Sequence, residues 1–106
     1  MEILYRPRRN RRTAAVRSLV RETRLHPGQF VMPVFVEQGK GIVTSIAAMP
    51  GVNRYSPDTL VTFLKEVEAA GIPGVALFPK IEDSLKDSHG TIGLDPKGLV
   101  PEMIDR

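Results

Sequence analysis

At 106 residues, with 42% hydrophobic and 25% charged residues and a net charge of +3, the chain has room for one modest domain. It contains no cysteine, which excludes a disulfide framework and any thiolate-held metal. No apolar run approaches the roughly 20 residues needed to cross a bilayer, and the Arg-dense start lacks the apolar stretch of a secretory signal, so a cytoplasmic location without membrane contact is expected.

The charge is unevenly spread. Residues 1–24 hold eight arginines against Glu2 and Glu22, a balance of +6, which leaves seven basic and ten acidic residues for the rest, a balance of −3. The pattern predicts a basic arm, residues 1–28, joined to a mildly acidic body, residues 29–106. Within the arm, TAAVRSLVRETRL sets Val16, Leu19, Val20 and Thr23 on one helical face and Arg17, Arg21 and Arg24 on the other, with Thr13 as cap. His26, Pro27 and Gly28 end that helix.

The run FVMPVFV, residues 30–36, reads as a strand buried on both faces. Pro33 cannot donate to a ladder and belongs where the strand is an edge, bulged or just beginning to pair. GKGIVTSIAAM has the composition of a small extended ribbon anchored by Ile42 and Ile46. Pro50 and Gly51 then make a turn, and Met49 to Tyr55 reads as a connector toward a helix announced by Ser56 as cap, Pro57 at the first helical position and Asp58 complementing the dipole. That helix, Pro57 to Ala70, carries the stripe Leu60, Phe63, Leu64, Val67 and Ala70 and ends at Gly71. GVALF, residues 74–78, is a second buried strand. Strand, helix, strand predicts a parallel pair with a right-handed crossover, and places the connector on the face where α/β proteins carry chemistry.

After Pro79 a polar loop leads to Asp95 and Pro96, which repeat the earlier start signal ahead of Leu99, Val100, Met103 and Ile104. This last stripe has no following strand and no evident partner, which predicts that the chain is the opening portion of a larger α/β protein.

The residues with chemical promise have plain alternatives. RPRRNRR and the arginine face after it could meet phosphates, but no nucleic-acid motif follows, so nucleic acid is the disfavoured partner and carboxylates of a neighbouring subunit the favoured one. Lys80 follows the second strand, where a desolvated amine could form a Schiff base, yet Glu82, Asp83, Lys86 and Asp87 around it read as a solvated loop. His26 and His89 stand alone. Asp83, Asp87 and Asp95 have no calcium-loop spacing, and the glycines match neither phosphate-loop nor dinucleotide fingerprints. No catalytic, substrate-binding or metal-binding constellation is complete.

RPRRNRRTAAVRSLVRET, FVMPVFVEQGKG, SIAAMPGVNRYSPDTL, GIPGVALFP and KDSHGTIGLDPKGLV, in this order, resemble the N-terminal third of porphobilinogen synthase, also called delta-aminolevulinic acid dehydratase. MPGVNRYS and the Arg-rich start are the most specific stretches, and GTIGLDPKGL departs from the family's usual alanine, aromatic and asparagine before Pro-x-Gly-Leu. The resemblance implies an N-terminal arm plus the first strand-helix-strand portion of a TIM (β/α)8 barrel. It implies an enzyme condensing two 5-aminolevulinate molecules into porphobilinogen, with zinc or magnesium assisting in many members and Schiff-base lysines outside this sequence. No metal is then expected on this segment, and no turnover from it alone. It also implies a homo-oligomer whose arm, with Arg6, Arg8, Arg9, Arg11 and Arg12, contacts a neighbouring subunit.

Overall fold

A computed structural model describes residues 4–106; residues 1–3 of the predicted arm, Glu2 among them, lie outside the described residues. The arm begins with a single 3-10 turn at Arg9–Arg11, followed by helix α1, Ala14–Val20. Thr13 caps α1 as expected, its hydroxyl accepting the Val16 N–H at 3.2 Å. The helix is shorter than the stripe predicted, because the backbone turns extended at Arg21 and the last turn is closed by the Arg24 guanidinium donating to the Ser18 carbonyl. Seven residues with none of them buried have no tertiary support for further propagation. Thr23 therefore joins no helical face. His26 closes the arm: its Nδ1 accepts the Gly28 N–H while its own N–H donates to the Gln29 side chain, a capping box around the 3-10 turn Pro27–Gln29.

The body is a four-stranded sheet. Strand β1, Val31–Val36, pairs in parallel with β4, Gly74–Pro79, from Val31 opposite Gly74 to Val36 opposite Pro79. Between them in sequence come β2, Val43–Ser45, and β3, Asn53–Tyr55, an antiparallel hairpin, and the sheet order is β2-β3-β1-β4. The expectation that Met49 to Tyr55 merely connects strand to helix is thus corrected: its last three residues form a strand, with Phe35 opposite Arg54 and Val36 opposite Tyr55. Pro33 sits below this short pairing, opposite Ala76 alone, so its missing N–H disturbs no ladder on the β3 side. The hairpin reverses at Met49–Val52, where the Val52 N–H reaches the Met49 carbonyl and Gly51 takes φ +82°, the positive φ that a type II turn requires after Pro50.

Helix α2, Pro57–Ala69, lays Leu60 on the sheet, fully buried against Val34 and Val36, with Phe63 and Leu64 packed beside them. Val67 is buried too, whereas Ala70 is exposed and serves as the C-cap. Gly71, at φ +83°, donates to the Glu68 carbonyl and Ile72 donates to Val67, so the helix ends in a Schellman motif. The start is built differently from the prediction. Ser56 makes no side-chain bond to the helix amides; its buried hydroxyl accepts the Ile42 N–H at 2.9 Å and donates to Asp58 at 2.6 Å. Asp58 takes the Gly41 N–H on both oxygens, and the Thr59 hydroxyl donates to the Ile42 carbonyl at 2.7 Å. The first turn of α2 therefore clasps the loop after β1.

Helix α3, Leu99–Ile104, begins at Gly98, three residues beyond the predicted signal, because Asp95 spends its carboxylate on the Lys97 N–H in a turn of its own. Its stripe does have a partner: Met103 is buried in the same cluster as Val34, Val36 and Leu60. Helices α2 and α3 thus cover one face of the sheet. The other face, bearing Val31, Phe35 and Phe78, is uncovered, with Val31 62% and Phe78 49% exposed. Of the two strands expected to be buried on both sides, β1 is buried on one, and β4 has no buried residue.

The radius of gyration is 22.0 Å, with extents of 72 × 34 × 27 Å. A compact chain of this length would have about 13 Å. The arm accounts for the excess by standing away from the body.

Candidate functional site

The parallel strands β1 and β4 bring their C-terminal ends to one rim, the end of a β/α sheet at which loops assemble sites. On the uncovered face the strand alternation stacks Phe35 beside Phe78, ring centroids 5.7 Å apart, with Arg54 next to Phe35 in register. One step further along the same parity stand Glu37 and Lys80. Their N–H groups extend the ladders, Glu37 to the Tyr55 carbonyl at 2.9 Å and Lys80 to the Val36 carbonyl at 2.7 Å.

The side chains meet above the aromatic pair. Glu37 accepts a hydrogen bond from the Thr44 hydroxyl at 3.0 Å on one oxygen; the other lies 3.9 Å from both the Arg54 guanidinium and the Lys80 ammonium. Lys80 also faces Glu82 at 3.3 Å. Next to this chain of alternating charge opens a cleft of about 340 Å³ whose walls include Ile42, Ile81, Leu85, Ile92 and Leu99. Such an arrangement orders charge at a rim, with Glu37 and Lys80 themselves lining a cavity of mixed polar and apolar character. With carboxylates on two sides, Lys80 is an ion-pair partner here.

The other candidates fall elsewhere. Arg6, Arg8, Arg9, Arg11 and Arg12 are all exposed in the arm, and among the described residues none has a carboxylate within ion-pair distance. Arg11 uses its carbonyl to hold the Arg17 guanidinium at 2.9 Å. The three aspartates of the late loop are spent locally. Asp83 pairs with Lys86 at 2.6 Å, Asp87 accepts the N–H groups of His89 and Thr91, and Asp95 that of Lys97. Lys86 holds the Asp83 carboxyl below the ordinary carboxylate range, and Thr91 does the same for Asp87. Among the described residues no three His, Asp or Glu side chains converge as a metal donor set, so these residues do not fit a zinc or magnesium ion.

Sequence reasoning missed Glu37, Thr44 and Arg54. Glu37 could have been found by parity, since it continues the alternation of Val31, Pro33 and Phe35. Thr44 and Arg54 could not, because they come from two other strands, β2 and β3.

The delta-aminolevulinic acid dehydratase family model matches residues 4–106. A Streptomyces coelicolor delta-aminolevulinic acid dehydratase is 47% identical over 95 residues, 90% of this chain and 29% of its own length. The Chlamydia pneumoniae protein of the same name is 43% identical over 99 residues, 93% of this chain and 30% of its own. The crystal structure of Toxoplasma gondii delta-aminolevulinic acid dehydratase (porphobilinogen synthase), in complex with the reaction product porphobilinogen, superposes with a TM-score of 0.86 at 38% identity, over 96% of this chain and 29% of that one. The chain spans less than a third of the length of these relatives. No helix among the described residues is long and apolar enough to cross a membrane. With its parallel β1-α2-β4 unit matched to that structure and its sequence to that family, the chain belongs to the delta-aminolevulinic acid dehydratase family.

Proposed function

We propose that this chain supplies the N-terminal part of a porphobilinogen synthase, the enzyme that condenses two 5-aminolevulinate molecules to porphobilinogen in tetrapyrrole biosynthesis, and that it does not turn over substrate alone. The observation that carries the reading is the correspondence of nearly all of this chain with under a third of a porphobilinogen-bound relative. The uncovered face of β1 and β4, with Val31 and Phe78 exposed and Phe35 half-buried, supports it, because a closed barrel buries that face. Residues 1–28 act as an arm and residues 29–106 as the first β/α units. The Schiff-base lysines and any zinc or magnesium ion belong to polypeptide outside these residues, and the enzyme works in the cytoplasm.

The arm contacts a neighbouring subunit in a homo-oligomer. Arg6, Arg8, Arg9, Arg11 and Arg12, with the exposed Leu19 at 80%, present charge and apolar surface together, which suits a protein partner. Incubating the 106-residue chain with 5-aminolevulinate and assaying pyrrole formation tests the central claim: no porphobilinogen is expected, and measurable turnover would refute it. The exposed arginines also fit a second reading, a basic-arm module that binds nucleic acid or an acidic partner. A salt titration against duplex DNA and RNA separates the two, since tight binding with a steep salt slope would favour the nucleic-acid role.

A further inference from the structure

We infer that Glu37 is a positioning residue, the carboxylate through which all four strands are held together on the uncovered face, at the rim where β1, β3 and β4 end and the antiparallel β2 begins. It stands just past β1 and reaches one polar group from each of the other three strands: Thr44 of β2, Arg54 of β3 and Lys80 at the end of β4. Its side chain is only 12% exposed. A carboxylate withdrawn from water to that degree needs compensation, and here it comes from a hydroxyl and two cations on separate elements.

The tie has work to do because the pairing beneath it is short. The strand β3 meets β1 through Phe35 and Val36 alone, and a hairpin of three-residue strands has little stability of its own. Directly under the charges lie the last two rungs, the N–H of Glu37 on Tyr55 and the N–H of Lys80 on Val36. Glu37 therefore fixes where the hairpin ends against β1 and holds Lys80 at the mouth of the cleft. Its importance to a reaction at this rim rests on the porphobilinogen synthase reading; the tie itself does not.

Amide hydrogen exchange on the whole chain tests the tie without any turnover, so its failure is separable from failure of the pyrrole assay. In Glu37→Gln, which keeps the size of the side chain and an acceptor for Thr44, the amides of position 37 and Lys80 are expected to exchange at least tenfold faster, with those of Val34 and Leu77 unchanged. Glu37→Asp, which keeps the charge, restores most of the protection. Molar salt gives a smaller local acceleration in the wild-type chain and none in Glu37→Gln. If Glu37→Gln does not fold, Lys80→Met is expected to free the amide of position 80 alone. Uniform acceleration along β1 and β4, an unchanged rim, or a wild-type chain without protection at these two amides would each overturn the assignment.

Discussion

Helices α1 and α2 carry the same kind of message, an apolar stripe with charges opposite, and meet different fates. The stripe of α2 is pressed on the sheet, with Leu60 fully buried and Val67 nearly so. In α1 no residue is buried; Leu19 is 80% and Val20 47% exposed. The difference lies in what surrounds them. Helix α2 is bounded by β3 and β4, which both pair in parallel with β1, so the crossover forces it down on their common face. Helix α1 is bounded by a charged segment and an extended linker, and nothing returns it to the body. Amphipathicity states that a helix has a partner and leaves open which polypeptide provides it.

The sharpest way to break this contrast is to remove the anchor of α2. Leu60→Ala is expected to cost about 3 kcal/mol, because the site is closed by Val34, Val36 and Met103 and cannot collapse freely. A denaturant unfolding curve measures it; a cost as small as that of an exposed site would mean that α2 is no more docked than α1. Ser56→Ala comes next, at about 2 kcal/mol, since it strands the part-buried Ile42 N–H and removes the donor to Asp58. The same variant lets the Asp58 carboxyl titrate nearer its ordinary value, which a carbon-detected pH titration reads directly.

The body was legible where the signal is local and periodic. Leu60, Phe63, Leu64 and Val67 announce α2, Gly71 its end, and the Val-rich runs announce β1 and β4, all within a few residues of where they lie. What was hidden depends on contacts distant in sequence. Asn53, Arg54 and Tyr55 look like connector because none supplies an alternating apolar pattern; they become a strand only because β1 and β2 offer ladders on both sides. Ser56, Pro57 and Asp58 have the composition of a helix cap, yet the hydroxyl and carboxylate go to Ile42 and Gly41, 14 and 17 residues back. Asp95 misleads in the same way by closing its own turn. At the rim Glu37 is placed by parity, but its value comes from Thr44, Arg54 and Lys80, which only the assembled sheet brings to it.

Acid offers a gentler probe of the clasp. The Ser56 hydroxyl above all, and then the Gly41 amide, hold the Asp58 carboxyl below the ordinary value of 3.8, although partial desolvation works against them. A depressed folded pKa means that the unfolded chain takes up protons first, so the contribution of Asp58 is complete above the unfolded value and lost as pH falls through the folded one. Between pH 7 and pH 5 the Gly41 amide is expected to keep its protection; below about pH 4 its protection, measured against the intrinsic exchange rate at each pH, begins to fall. In Asp58→Asn that acid-dependent step disappears. Asp83 and Asp87, also depressed, titrate in the same window, but they lie in the late loop and leave the Gly41 amide untouched.

The smallest effect on stability is expected where the two helices differ most. Leu19→Ser removes an exposed side chain that touches no buried residue, so the unfolding midpoint of the body should move by no more than about 0.5 kcal/mol equivalent. If the arm carries subunit contacts, the same change should weaken self-association of the polypeptide that bears it, read as a lower weight-average mass by sedimentation at matched concentration. Thr13→Ala, which loses the Val16 cap and about 1 kcal/mol of local helix stability, should act in the same direction by unwinding the contact surface. Both variants leave the α2 side of the comparison unaltered. Loss of association with an unchanged body would identify the face of α1 as one completed by another chain, while unchanged association would return Leu19 and its arginines to a purely solvated role.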